Sequence, residues 1–294
     1  MTPGSLNGVK DMEMTMERIE QTNIRPFTKP AFRLGMPHMD FSGVSREWLL
    51  REACHLHWES IAGDFGAHPK EFRDKSGARV LPSVVACTLN GDAELFKEGD
   101  LCQFFQVEKP KAENGWRSQV DLFGNAVTLR AEIITSFARR NGPANRDLVR
   151  ADMEEGLQPF REGEQAKRAN TIRLLGKSER TKAEMETAPP HLTFAIDRYQ
   201  HLNGVGLVYF AEIHKMITMA ERNAAPDLVV SWPMRNRRVH YFCNLDVGDR
   251  LELTTETSLQ AFSPTASVVV RTFAKRSSDG AVVACAEAIY GAAI

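Results

Sequence analysis

Two short stretches set a titratable side chain beside a glycine and directly ahead of an apolar helix pattern. In the first, "MDFSGV", the carboxylate of Asp40 stands three residues before Gly43. In the second, "QHLNGV", His201 takes the matching place when Gly43 is aligned with Gly204. A glycine lets backbone and ligand approach closely and tolerates unusual φ values. A helix N-terminus adds N–H groups without intrahelical partners and a positive dipole end. A carbonyl polarised by such donors lies in front of the neighbouring side chain. Asp40 there can attack it or activate water, and His201 can move a proton near neutral pH. The N–H groups of Gly43, Val44 and Gly204 are then the oxyanion donors. The Asn203 amide can orient the carbonyl, or it can do no more than favour its turn. Asp40 and His201 can equally be confined to capping and bonding within their own turns. His38, two residues before Asp40, is a second imidazole candidate in the first stretch.

Other candidates stand further along. Ser136 in "ITSFARR" ends a strand pattern, where its hydroxyl can meet a substrate or serve structure alone. Arg235, Arg237 and Arg238 in "RNRRVHYF" can hold phosphates, or they can be the solvated charges of an edge strand. Glu47 falls in a first helical turn, where the dipole favours a carboxylate, and Glu212 lies deeper in an apolar stretch. His55 and His214 read as packed or partly exposed helix residues. The five cysteines are odd in number and widely spaced, with no CxxC pair, so the reading is reduced thiols, a cytoplasmic location and no metal.

The elements that must position these residues occur twice. Ser45 is a plausible N-cap, and Leu49, Ala53, Leu56 and Ser60 follow at helical spacing. Leu207, Phe210, Ile213 and Ile217 repeat the pattern after the second glycine. A short strand precedes each helix, "AFRLG" and "HLTFAID". About four β-rich runs follow each, with "FGNA" and "SSDGA" as hairpin signals between the last two. An internal repeat on this scale divides the chain into a tail over 1–25, a first unit over 26–155, a charged linker over 156–190 and a second unit over 191–294. The 294 residues allow two ordinary units, and a net charge of −1 argues against nucleic acid and membrane surfaces as partners. No apolar run reaches membrane-span length.

A helix wrapped by a curved antiparallel sheet, made twice, resembles the α+β double hot-dog fold. "GMPHMDFSGVSREWLLREACHLHW", "ITSFARRNGPANRDLVR" and "HLNGVGLVYFAEI" together resemble the leinamycin-type bifunctional acyltransferase/decarboxylase family, over most of the chain from about Arg33 onward. The resemblance implies an acyl-CoA substrate, an acyl carrier protein of a polyketide-type pathway as acceptor, and loss of carbon dioxide from a malonyl-type group. It implies no bound cofactor and no metal, with the CoA or phosphopantetheine thioester entering as substrate. A homodimer is expected, since hot-dog proteins associate readily. "DFSG" is also similar to the Asp-Pro-Ala-Gly of hydroxybenzoyl-type hot-dog thioesterases, whose Asp attacks the thioester or activates water. One position departs from the main resemblance. The family implies a tyrosine nucleophile in the first unit, but Tyr199, Tyr209, Tyr241 and Tyr290 all lie in the second, and the expected place falls on Leu81. That departure leaves open a hot-dog thioesterase, a dehydratase on a carrier-bound intermediate, or a non-catalytic acyl-carrier-binding protein.

Overall fold

The computed structural model describes residues 27–106, 111–112, 115–124, 127–153, 164–227, 232–260 and 267–291. The expected tail over 1–25 lies outside them. The first unit contains the long helix α1 (Arg46–Phe65) and strands β1 (Leu81–Asn90), β2 (Leu101–Gln106), β3 (Gly115–Gly124) and β4 (Val127–Arg140). Helix α2 (Glu164–Met185) falls within the charged stretch between the repeats. The second unit contains β5 (Leu192–Ala195), helix α3 (Phe210–Ala224), β6 (Met234–Tyr241), β7 (Arg250–Gln260), β8 (Ser267–Arg276) and β9 (Val282–Gly291).

All these strands belong to one antiparallel sheet. Starting from the short N-terminal strands Phe27–Thr28 and Phe32–Arg33, the order is β2, β3, β4, β1, β6, β9, β8, β7, β5. The second half of that order mirrors the first. The units join through their first long strands, with Cys87 opposite Val239 and Thr88 opposite Arg238. This is a double hot-dog: two sheets run on into one another and each wraps its own helix. The basic run 235–242 therefore sits mid-sheet and not on an edge.

Local sequence explains the helices. Ser45 caps α1 by accepting the Trp48 N–H at 3.3 Å, and Gly66 ends the helix in the left-handed conformation at φ +61°. α1 buries Leu49, Leu50, Ala53, Leu56 and Ile61, and α3 buries Ile213, Met216, Ile217 and Ala220. These stripes meet the inner face of the sheet and form one continuous core, except Ile61, which packs with Phe72, Val80 and Trp116 in a second cluster. α2 covers the outer face at the junction of the units, against β9, β1 and β3. Strands there are buried on both faces, and β9 reads as an apolar run with little alternation for that reason. No helix among the described residues is long and apolar enough to cross a membrane.

Three imidazoles are buried among the described residues, His57, His214 and His240, and burial lowers the pKa of each. His57 lies between the hydroxyls of Ser118 (2.7 Å) and Thr135 (2.9 Å), and burial holds its pKa at about 3. Burial, aided by the nearby Arg238 charge, holds His240 at about 4. Both values lie below the ordinary imidazole value, so the unfolded chain binds more protons on acidification. Their stabilising contribution is complete above pH ~6.5 and is lost as pH falls toward the folded values. We predict that urea-unfolding stability declines between pH 6 and pH 4, with each histidine contributing up to about 1.4 kcal/mol per pH unit. The His57→Asn variant should show a shallower decline, and an unchanged slope would refute the assignment.

Candidate active site

Hydrogen bonds place the two glycine turns in a register different from the one their glycines suggest. In the first, the Gly35 N–H donates to His38 Nδ1 at 2.8 Å, and the Ser45 N–H donates to the His38 carbonyl at 2.8 Å. In the second, the Asp197 N–H donates to His201 Nδ1 at 2.8 Å, and the Tyr209 N–H donates to the His201 carbonyl at 2.9 Å. His201 therefore corresponds to His38, Asn203 to Asp40, and Tyr209 to the N-cap Ser45. The second turn holds one extra residue, which moves its glycine requirement to Gly206, at φ +78°. A Cβ on Gly204 would meet nothing within 4 Å. Gly43, at φ +145°, is packed so closely on the Ala93 carbonyl that a Cβ would overlap it.

Asp40 and Asn203 fold their turns in the same way. Asp40 Oδ1 accepts the Ser42 N–H and hydroxyl at 2.9 Å each. Asn203 Oδ1 accepts the N–H groups of Val205 and Leu207 at 3.1 Å each. The second turn is also clamped from outside. Asn145 donates to the Gly206 carbonyl at 2.8 Å and the Leu245 carbonyl at 2.9 Å, and Arg140 donates to the Val205 carbonyl at 3.2 Å. Asn244 accepts the Val208 N–H at 3.1 Å.

The clamped turn opens on a cleft of about 940 Å³ between the units. α3 starts at its edge, and its N-cap Tyr209 makes no side-chain capping bond. The N–H groups of the first turn, those of Phe210 and Ala211, therefore have no intrahelical acceptor. Asn203, Gly204, Phe210 and Ile213 line this end, and Ser83 and Ser136 face each other across β1 and β4. α1 contributes one face: Cys54, His55, Trp58, Glu59 and Ala62. The Cys54 thiol lies beside the Tyr209 hydroxyl, and Arg51 stacks over the Tyr209 ring at 5.1 Å. Burial pushes the Cys54 thiol up to about 12 and raises the Tyr209 and Tyr241 phenols. None of the three is ionised near neutral pH. Leu81, at the expected tyrosine position, is buried in the cleft wall. Glu59 is the one carboxylate among the described lining residues, beside the basic Lys70, Arg79, Arg146, Arg150 and Arg173.

A pocket of about 300 Å³ occupies the related place at the start of α1. With Ser45 and Tyr209 superposed, Cys54 and Trp58 of the cleft fall on Thr218 and Arg222 of the pocket. Ion pairs crowd it: Arg46 with Glu94 at 2.9 Å, and Arg237 with Glu221. Burial raises the Glu47 carboxyl, but the hydrogen bond from His214 and other favourable contacts bring it down to about 2. Asp40 lines this pocket, as do Arg46 and Glu47.

The sequence candidates thus separate. Asn203, Gly204 and Ser136 meet at the cleft. Asp40 and Arg237 lie at the smaller pocket. Gly43 and Val44 are buried in a two-residue strand, and His38 and His201 bond into their turns without lining either cavity. Arg235, Arg237 and Arg238 are ion-paired with Asp92, Glu221 and Glu287. Glu212, a buried carboxylate by sequence, pairs with Arg51. Sequence reading placed Asn145 of "NGPANRD" beside Ser136 in one motif but missed its clamp across the units, and it missed the cleft's basic residues. The latter come from separate segments and form no run.

No family model matches the chain, and no curated protein matches it. Solved structures do share its fold. A protein assigned as an oleoyl thioesterase from Lactobacillus plantarum superposes with a TM-score of 0.64 at 7% identity, covering 91% of this chain and 95% of that one. The 12:0-ACP thioesterase from Umbellularia californica gives 0.60 at 10% identity, over 90% and 93%. An acyl-ACP thioesterase from Bacteroides thetaiotaomicron gives 0.55 at 14% identity, over 90% and 97%.

Proposed function

We propose that the chain is an enzyme acting on acyl thioesters carried by coenzyme A or an acyl carrier protein, and that it works at the cleft where α3 begins. The observation that carries this reading is the uncapped helix N-terminus opening on that cavity. A thioester oxygen becomes negative in the tetrahedral or enolate state. The Phe210 and Ala211 N–H groups and the positive helix end stabilise that charge. Asn203 spends its Oδ1 on the turn, which leaves its NH2 group to offer the substrate. Lys70 and Arg79 take the phosphates in place of the ion-paired Arg235, Arg237 and Arg238.

Within this class we propose transfer with decarboxylation of a malonyl-type group. The three sequence motifs support it, as does an apolar wall of Val84, Leu207, Phe210 and Ile213, which disfavours a substrate carboxylate and promotes its loss. Leu81 offers no hydroxyl, and Tyr209 and Tyr241 stay protonated, so transfer passes directly between two thiols without a tyrosyl ester. Hydrolysis is the second reading, favoured by the thioesterase names of the structures that share the fold.

Incubation with malonyl-CoA, with carbon dioxide and free thiol measured separately, tests the class. Carbon dioxide release supports decarboxylation, and thiol release alone supports hydrolysis. Neither product would refute an acyl-thioester enzyme. The Asp40→Asn variant should keep activity within about twofold, since Asp40 lies at the other pocket.

A further inference from the structure

Helix α1 faces the large cleft with a titratable pair that has no counterpart on α3. His55 and Glu59 sit on the α1 stripe, one turn apart, with Nε2 and Oε1 at 3.1 Å. Both line the large cleft. With the N-caps superposed, the matching α3 positions are Met219 and Asn223, which form no acid–base pair. The two duplicated helices thus differ at these positions, and the proton-handling pair stands on α1 alone.

The stripe also reaches the seat. Arg51 stacks on Tyr209 and Cys54 lies beside it, and Tyr209 is the N-cap of the helix whose Phe210 and Ala211 N–H groups have no intrahelical acceptor. His55 follows Cys54 directly. The other groups here are unsuited to moving protons: Cys54, Tyr209 and Tyr241 are held neutral by burial. His68, the second cleft imidazole, spends its Nδ1 accepting the Lys70 N–H.

We infer that His55 is the proton-transfer group of the cleft and that Glu59 positions its ring; this rests on the thioester reading above. As the acceptor thiol sulphur bonds to the acyl carbon, the neutral imidazole takes the thiol proton. When the donor carbon–sulphur bond breaks, the imidazolium returns that proton to the departing sulphur. The transfer itself consumes no other reactant; the enolate left by loss of carbon dioxide takes one proton at carbon from solvent water. Glu59 stabilises the imidazolium between the two events. The two sources of catalysis then come from different units: the donors from α3 and the base from α1.

The test pairs binding with turnover on the full chain. A ketone analogue of malonyl-CoA, with a methylene in place of the thioester sulphur, is titrated into protein labelled with ¹⁵N in histidine. The His55 ring signals are assigned by their absence in His55→Gln. The expected result is a shift of those signals on binding. Transfer from malonyl-CoA to pantetheine should fall about 100-fold in kcat for His55→Gln and about tenfold for Glu59→Gln, with KM changed less than threefold. Analogue binding with His55 unmoved, or with kcat intact in His55→Gln, overturns the proton-transfer role and leaves the thioester reading standing. Failure of the wild-type protein to bind the analogue overturns both.

Discussion

Phe210→Pro should lower turnover of acyl thioesters roughly 10²–10³-fold while leaving the protein folded. Phe210 is the first residue of α3 and follows an N-cap in extended conformation, at φ −74° and ψ 132°. Proline suits that position, because its fixed φ matches the helix and the missing N–H had no intrahelical acceptor. The substitution deletes one proposed oxyanion donor and keeps the helix. It also removes a ring that packs edge-on against Tyr241 at 5.9 Å between centroids. Phe210→Ala controls for that loss by removing the ring and keeping the donor. Steady-state kinetics on both variants separates the two effects. Phe210→Pro should fall far below Phe210→Ala in kcat. Equal losses would assign the effect to the ring and remove the helix N-terminus from the mechanism.

The second large effect concerns stability. Arg237 is 2% exposed and Glu221 fully buried. Arg237 pairs with Glu221 and donates to Thr218 at 2.5 Å, and the Tyr290 hydroxyl donates to Glu221 at 2.9 Å. Removing one partner leaves an uncompensated charge in the core. Glu221→Ala should therefore cost about 3–5 kcal/mol in urea unfolding. The double variant Glu221→Leu with Arg237→Met removes both charges at similar volume and should cost much less, since a well-packed apolar pair often replaces a buried ion pair without loss. A double variant as unstable as the single would show that the network contributes more than charge compensation.

The arginine network also shows how far the sequence carries. "RNRRVHYF" reads equally as a phosphate site or an edge strand, because both need clustered guanidiniums. Its actual use depends on β6 lying mid-sheet, where the two units join, and on Arg237 meeting Glu221 of α3 within its own unit. Local features fared better. Ser45 caps its helix as its residue type and place suggest, and the repeated order of helix and strands appears in the sheet topology. Those features are set by neighbours within a few residues or by periodicity within one element.

The second turn illustrates the boundary. Aligning glycines pairs His201 with Asp40, but hydrogen bonding pairs it with His38. Asn203 folds its longer turn with one side-chain oxygen bound to two N–H groups, and the extra residue passes the glycine role to Gly206. Sequence alone does not reveal that insertion, because Gly204 and Gly206 fit a turn equally well. His55 was harder still. On its own helix it reads as packing or surface, and only the cleft between the units sets it in the same lining as the start of α3.

The most direct test of the central claim is mass spectrometry of an acyl carrier protein after incubation with malonyl-CoA and this protein. The account predicts that the carrier gains an acetyl group, the malonyl unit less carbon dioxide, with wild-type protein and with Phe210→Ala, and that the gain is lost with Phe210→Pro. A thioester left unconsumed, or a carrier acylated equally by Phe210→Pro and Phe210→Ala, would contradict it.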